Sequence, residues 1–389
     1  MKSENLALLL DIARNPGPYA TQWKERTGGK AIGCLHCMPP YVTEEIVHAA
    51  GMLPVGIWGT ERPIRAAAST IEPFACSIAR SSLDLALSGD LSICDGFVFP
   101  STCDTFQNLG QIWHGEMPAP FVHYLVYPRA VHRESARRYM VEALEMFTQA
   151  LGAFGGVEIS DDSLLRAVAT YRRSRALLSS LRDLRAASPS LLGMEEMMAV
   201  VRASSLMDRG EYTKVLDDLV ESLEEAPAGE TPREGCRLIV AGVTARPRGL
   251  MRMIEEAGAT IVGDDLGDGE RYFRAAEPTA GASPIDALAE MALEALPAST
   301  IHDPDHSRAR YLVETAKACD AEGIILNVTK FCEPELFDVP MLVGACKDAE
   351  LPVLVLESEL QMGSLAPLGT RVEAFLESIR AGESEGTGA

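Results

Sequence analysis

The chain has 389 residues, 47% of them hydrophobic, and its 35 basic and 56 acidic side chains give a formal charge of −21. So acidic a protein argues against a phosphate-backbone partner, since nucleic-acid binding depends on a basic face, and the length favours two or three domains over one. The 9 cysteines, an odd number without an export signal, argue against a disulfide framework and leave reduced thiols, some of them candidate metal ligands.

The opening run MKSENLALLLDIARNPGPY is too short to span a bilayer, is interrupted by Asp11 and Arg14, and has no small-residue cleavage site after it. It reads as a helix of a cytoplasmic protein with no membrane segment. AIGCLHCMPPYVTEEIVHAAGMLPVGIWG then gives a strand, a Pro-broken turn, a helix from near Thr43, and a strand from Leu53 to Ile57. Thr43 suits the helix N-cap and Gly51 its C-terminal cap. A helix from about Ser77 to Leu87 and the apolar strand Gly96 to Pro100 follow, an alternation that implies a parallel sheet covered on both faces.

From Arg133 to Ala226 the apolar residues recur at three and four, so this section is mostly helical. PAGETPREG reads as a linker, after which CRLIVAGV, ATIVGDD, GIILNVTKF and PVLVLESE recur as strands separated by helical runs. The final AGESEGTGA should fray. The expected fold is α/β: two parallel-sheet lobes of Rossmann or flavodoxin type, residues 1–132 and 236–382, with a helical section and linker, 133–235, between them and a flexible tail, 383–389.

GFVFPSTCD and GIILNVTKFCEPE each run from Gly through an apolar strand to a cysteine just past its carboxyl end, where ligands bind in open α/β sheets. Cys103 and Cys332 thus occupy equivalent places. Cys76 directly precedes the helix starting at Ser77, whose exposed amides would favour a thiolate. The three form a candidate iron–sulfur site, although buried cysteine is also common packing material and spacing does not decide between the two. Cys34 and Cys37 form a C-x-x-C, but no second pair supports zinc, and Pro39 and Pro40 replace the helix expected of a redox motif. Cys94, Cys236, Cys319 and Cys346 read as packing.

TGGKA ends in Ala31, so it is not a P-loop, and neither a G-x-S-x-G nor an H-E-x-x-H occurs. The carboxylates of GDDLGDGERYF, Asp264, Asp265 and Asp268, miss the calcium-loop pattern and read as a solvated or helix-capping turn. Arg246 and Arg248 in TARPRGL, between a strand and a helix, could grip a phosphate of a cofactor arm.

Three runs, IEPFACSIARSSLDLALSGD with CDGFVFPSTCDTFQNLGQIW, GATIVGDDLGDGERYF, and KFCEPELFDVPMLVGACKDAELPVLVLESELQ, together resemble the benzoyl-CoA reductase and 2-hydroxyacyl-CoA dehydratase family, particularly its shorter (β or C-type) subunits. The likeness covers nearly the whole chain in order. It implies two α/β lobes with a [4Fe-4S] cluster in the cleft between them, held as both cofactor and metal centre by Cys76, Cys103 and Cys332. Relatives with a double-cubane cluster carry further cysteines where this chain has Pro39 and PASTIHDPDH, so a single cluster is expected, with Cys34 and Cys37 near the first of those places.

The same resemblance implies low-potential one-electron transfer to an acyl-CoA thioester. A longer homologous subunit and a separate ATP-dependent iron–sulfur activator would be the partners. The first reading is a subunit of a benzoyl-CoA reductase-type enzyme that reduces an aromatic ring. The alternative is the β subunit of a 2-hydroxyacyl-CoA dehydratase, and a more remote one is a non-enzymatic α/β scaffold.

Overall fold

A computed structural model describes residues 2–36, 42–226, 235–274, 279 and 281–386. The chain opens with two helices instead of one, α1 (Lys2–Arg14) and α2 (Pro16–Thr27), because Pro16 restarts the helix at a position where its missing N–H costs nothing. The first lobe comprises β1 (Ala31–Leu35), α3 (Thr43–Ala49), β2 (Leu53–Ile57), α4 (Ser77–Leu87), β3 (Gly96–Pro100), α5 (Asp104–Glu116) and β4 (Phe121–Leu125). The helices α6 (Glu134–Gly155), α7 (Asp161–Ala187), α8 (Met194–Ser204) and α9 (Arg209–Glu224) follow.

The second lobe is built from β5 (Cys236–Gly242), α10 (Leu250–Glu256), β6 (Ala259–Leu266), α11 (Glu270–Phe273), α12 (Pro284–Leu293), α13 (Ser307–Ala318), β7 (Gly323–Thr329), α14 (Glu333–Asp348), β8 (Val353–Ser358) and α15 (Ala366–Gly386). Of the expected linker PAGETPREG, 227–235, residues 227–234 lie outside the described residues, and α15 runs past residue 382, where the lobe was expected to end. No helix among the described residues is long and apolar enough to cross a membrane.

The bounds of β2, α4 and β3 coincide with those expected. Helix α3 differs by one residue: Val42 takes the capping position and Thr43 is already helical, while Gly51 closes the helix at φ 70, a conformation glycine adopts without a Cβ clash. The two sheets have the same parallel topology, β2-β1-β3-β4 and β6-β5-β7-β8, so β3 and β7 hold equivalent places. Strands β1, β2 and β7 are buried along their whole length, which is why they show no polar alternation. Gly59, just beyond β2 at φ 72, could not carry a side chain, since a Cβ there would lie 2.3 Å from the Ser81 hydroxyl.

One apolar core runs through both lobes, joining Leu9 of α1, Val55 of β2, Leu178 of α7, Val200 of α8, Tyr212 of α9, Leu238 of β5 and Val372 of α15. Helix α1 packs on α8 and α9, so the amino-terminal helices cover the junction as well as their own lobe.

A buried polar cluster pins that junction. Arg209 of α9 donates to Glu44 of α3 at 2.6 Å and to the Tyr272 hydroxyl at 2.8 Å, while Tyr272 donates to the same Glu44 oxygen at 2.6 Å. His36 Nε2 lies 2.8 Å from the other Glu44 oxygen, and the Tyr171 ring centre is 4.0 Å from the Arg209 guanidinium carbon. Burial alone would raise the Glu44 carboxyl, but the His36 ring and the Arg209 charge overcome it and hold the group below its ordinary value. Arg209→Ala should therefore destabilise the protein by about 3–5 kcal/mol by leaving Glu44 charged and buried. Adding Glu44→Gln to that variant should recover part of the loss, as urea unfolding of both variants would measure.

Candidate functional site

Three thiols start three helices. Cys76 is the N-cap of α4, Cys103 of α5 and Cys332 of α14, each in the non-helical conformation of a capping residue. Their arrangement follows from the sheets. Cys103 leaves the carboxyl end of β3 and Cys332 that of the equivalent β7, while Cys76 ends the long connection after β2. Phe331, immediately before Cys332, sits at φ 64, where a non-glycine residue is strained by about 1–2 kcal/mol. The tight turn closed by the Cys332 N–H on the Thr329 carbonyl at 2.9 Å holds it there.

The lobes meet at these residues. All three cysteines pack against one apolar cluster that includes Ile57, Phe97 and Phe106 of the first lobe and Val243 and Leu360 of the second. Arg80 of α4 donates to the Ala75 carbonyl at 2.8 Å and pairs with Glu359 at 2.7 Å, and the Ser77 hydroxyl accepts the Leu360 N–H at 3.1 Å. Arg129 donates to the Thr102 and Thr300 carbonyls, which ties the Cys103 loop to the segment around residue 300.

Burial pushes the Cys76 thiol up to about 11. The N–H groups of Ala79 and Ile78 favour the thiolate but do not win, and Cys103 adds repulsion. Cys332 is pushed well up by burial, then by the Glu335 carboxyl and by Cys76 and Cys103. The three sulfurs thus feel one another, and ionising them together requires a cationic partner in the same pocket. Among the described residues no three His, Cys, Asp or Glu are arranged to hold one metal ion. A cluster in which each thiolate binds its own iron does not need them to converge on one point, and helix amides suit its negative charge. Three such cysteines, one buried and two half-buried, fit a cluster with one iron left without a thiolate from this chain.

The other described cysteines do not cap the start of a helix, although Cys94 packs against the same apolar cluster as the three. Cys34 is buried in β1 with its thiol raised by burial and by Glu44, and Cys37, Pro39 and Pro40 lie outside the described residues. Cys236 and Cys346 are buried, and Cys94 and Cys319 are half-buried against apolar clusters. Asp264, Asp265 and Asp268 are buried and not solvated: Asp264 accepts the Leu266 and Glu270 N–H groups at 3.1 and 2.8 Å, capping α11, and Asp265 pairs with Arg308 at 3.2 Å.

Sequence reading missed the rim of the site. Phe74, two residues before Cys76, and Leu336, Phe337 and Met341 of the helix that Cys332 caps are exposed, Phe337 at 80% and Phe74 at 66%. Their signal is in FCEPELFDVPM, where an apolar run at the start of a helix lacks the buried stripe of a core-facing one: Leu336, Phe337 and Met341 stay exposed while Leu342 and Cys346 are buried. Arg80 left a fainter trace, a cation near the helix end that disfavours positive charge.

The chain is similar to known proteins over nearly its whole length. The beta subunit of (R)-phenyllactyl-CoA dehydratase from Clostridium sporogenes is 32% identical over 371 residues, covering 95% of this chain and 97% of that protein. The beta subunit of lactoyl-CoA dehydratase from Anaerotignum propionicum is 28% identical, covering 96% and 98%. The C-type subunit of benzoyl-CoA reductase from Thauera aromatica is 29% identical, covering 93% and 94%. The profile of the family described as 2-hydroxyglutaryl-CoA dehydratase, D-component, matches residues 39–379. The chain belongs to that family, and the relatives named here are subunits of acyl-CoA dehydratases and of a reductase.

Proposed function

We propose that the chain is the β-type subunit of a 2-hydroxyacyl-CoA dehydratase in which Cys76, Cys103 and Cys332 hold a [4Fe-4S] cluster. The observation that carries this reading is that three helix-capping thiols, two from one lobe and one from the other, pack against one apolar cluster close enough to feel one another's charge. When bound, such a cluster supplies low-potential one-electron transfer. The chain's own part is to keep water out with Phe97, Phe99 and Phe106, and to aim helix amides at the sulfurs. Arg80, bridging Ala75 to Glu359, fixes Cys76 relative to the second lobe.

Dehydration takes precedence over aromatic ring reduction, the reverse of the order expected from sequence. Two of the three relatives described above are dehydratase subunits, one at 32% identity against 29% for the reductase subunit. Ring reduction remains the second reading on the strength of that reductase relative. The exposed phenylalanines around the site suit burial against a longer homologous subunit. A separate ATP-dependent activator and an acyl-CoA substrate complete the proposed system. The reading is tested by anaerobic assay of the co-purified complex with activator, ATP and reductant. A 2-hydroxyacyl-CoA should be dehydrated and benzoyl-CoA left unreduced; the opposite pattern establishes the second reading.

Cys76→Ala, Cys103→Ala and Cys332→Ala should each lose most of their iron and sulfide after anaerobic purification, whereas Cys236→Ala and Cys346→Ala should retain both and lose only packing. Iron retained by Cys332→Ala would remove the residue from the ligand set. Phe337→Glu, on an 80% exposed side chain, should leave the melting temperature of the isolated chain within a degree or two, about the effect of a surface change. The same variant should weaken co-purification of the longer subunit by about ten-fold or more.

A further inference from the structure

A cavity of about 870 Å³ lies between α1, α8 and the loops that follow β2 and β5, and none of Cys76, Cys103 and Cys332 lines it. Its wall carries six arginines and five carboxylates, a positive balance in a chain of net charge −21. The carboxylates are engaged. Asp268 accepts the Thr244 hydroxyl at 2.5 Å and the Ala245 N–H at 2.8 Å, and Glu196 accepts the Gly193 N–H at 3.0 Å at the start of α8. Asp90 pairs with Arg62 at 2.5 Å, Glu195 with Arg248 and Arg252 at 3.7 and 3.4 Å, and Glu61 accepts the Arg248 N–H at 3.0 Å.

Arg202 of α8 is different: its Nε is buried and meets no hydrogen-bond partner. Its cationic neighbour is Arg246, which is 7% exposed and donates to the carbonyls of Trp58 and Gly59 and to the Thr244 hydroxyl. Those bonds account for Arg246 as a tie between the lobes, whereas Arg202 feels the charges of Asp268 and Glu61 with its Nε left without a hydrogen bond. Burial, and then the Arg202 charge, push Arg246 down to about 9 despite Asp268 and Glu61. Asp268 and Glu61 attract both guanidinium groups, yet burial still holds both below the ordinary arginine value, and their forked donors match phosphate oxygens.

We propose that this cavity binds a phosphate-bearing molecule of nucleotide size, with its phosphate or pyrophosphate received by Arg202 and Arg246. A phosphate ion alone would leave most of the space unfilled, since the volume falls within the range of small-molecule sites. Leu10, Val55, Ile57, Met198 and Met251 offer apolar wall to the rest of the ligand. The site is separate from the cysteines and does not depend on what they hold.

Calorimetric titration of the full-length chain with pyrophosphate, ADP, coenzyme A and succinate tests it. ADP or coenzyme A should bind more tightly than pyrophosphate, the tighter of the two identifying the phosphorylated arm, and succinate should bind at least ten-fold more weakly, a difference of about one charge-assisted hydrogen bond. Arg202→Gln should raise the dissociation constant about ten-fold or more while shifting the melting temperature by no more than a degree or two, because relief of burial and of the Arg246 repulsion offsets the lost attraction of Asp268 and Glu61. On the wild-type chain, hydrogen exchange should slow with ligand in α8 and in residues 56–62 and 245–252. Absence of binding by every phosphate compound, equal affinity for succinate, wild-type affinity in Arg202→Gln, or no slowing in those segments would each overturn the proposal.

Discussion

The paired charges of Glu44 and Arg209 set the relation between the lobes. Glu44 stands at the start of α3 after the first strand, Arg209 opens α9, and Tyr272 belongs to α11 of the second lobe, so their shared hydrogen bonds join three regions far apart in sequence. A buried ion pair contributes little net stability compared with apolar residues of the same shape, yet a misplaced one leaves a charge unpaired at a cost of about 3–5 kcal/mol. Very few registers of α9 against α3 and α11 meet that condition. The aromatic rings of Tyr171 and Trp58 close around the cluster and exclude water, which sharpens the penalty for any other arrangement.

With the lobes held in this relation, the repeated sheet topology does the rest. Both sheets use the order in which the first and third strands lie side by side at the centre, and the chain leaves the third strand toward the same face in each. Cys103 and Cys332 therefore arrive from opposite lobes at one pocket, and Cys76 joins them from the loop that Arg80 ties to Glu359. The resulting site concentrates burial, helix amides and mutual repulsion among thiols, the combination that makes neutral sulfur stable when alone and thiolate stable beside a metal.

Much of this was legible in the sequence because it is local. GFVFPSTCD and GIILNVTKFC announce a buried strand ending in a cysteine, and CSIARSSLDLAL announces a helix whose first side chain is a thiol. The helix and strand bounds around Cys76 and Cys103 follow from apolar period and from Gly and Pro punctuation. What stayed hidden was set by distant partners. Asp264, Asp265 and Asp268 read as a solvated or helix-capping turn; Asp264 does cap α11, but that all three are buried and that Asp265 pairs with Arg308 was not legible. The break at Asn15 and Pro16 gives α1 and α2 their ends but not their place over α8 and α9.

By itself the sequence determined the α/β class, the parallel sheets and the capping positions of the three cysteines, since each depends on residues within a turn or a strand of one another. Tertiary structure alone decided that the three thiols pack against one apolar cluster, that Phe74 and Phe337 are left exposed, and that Arg202 and Arg246 line one cavity at the lobe junction. Such juxtapositions join residues from 27 positions apart (Cys76 to Cys103) to 256 (Cys76 to Cys332), and no local pattern encodes them. They arise only when the shared core and the buried charges of Glu44 and Arg209 fix one lobe against the other.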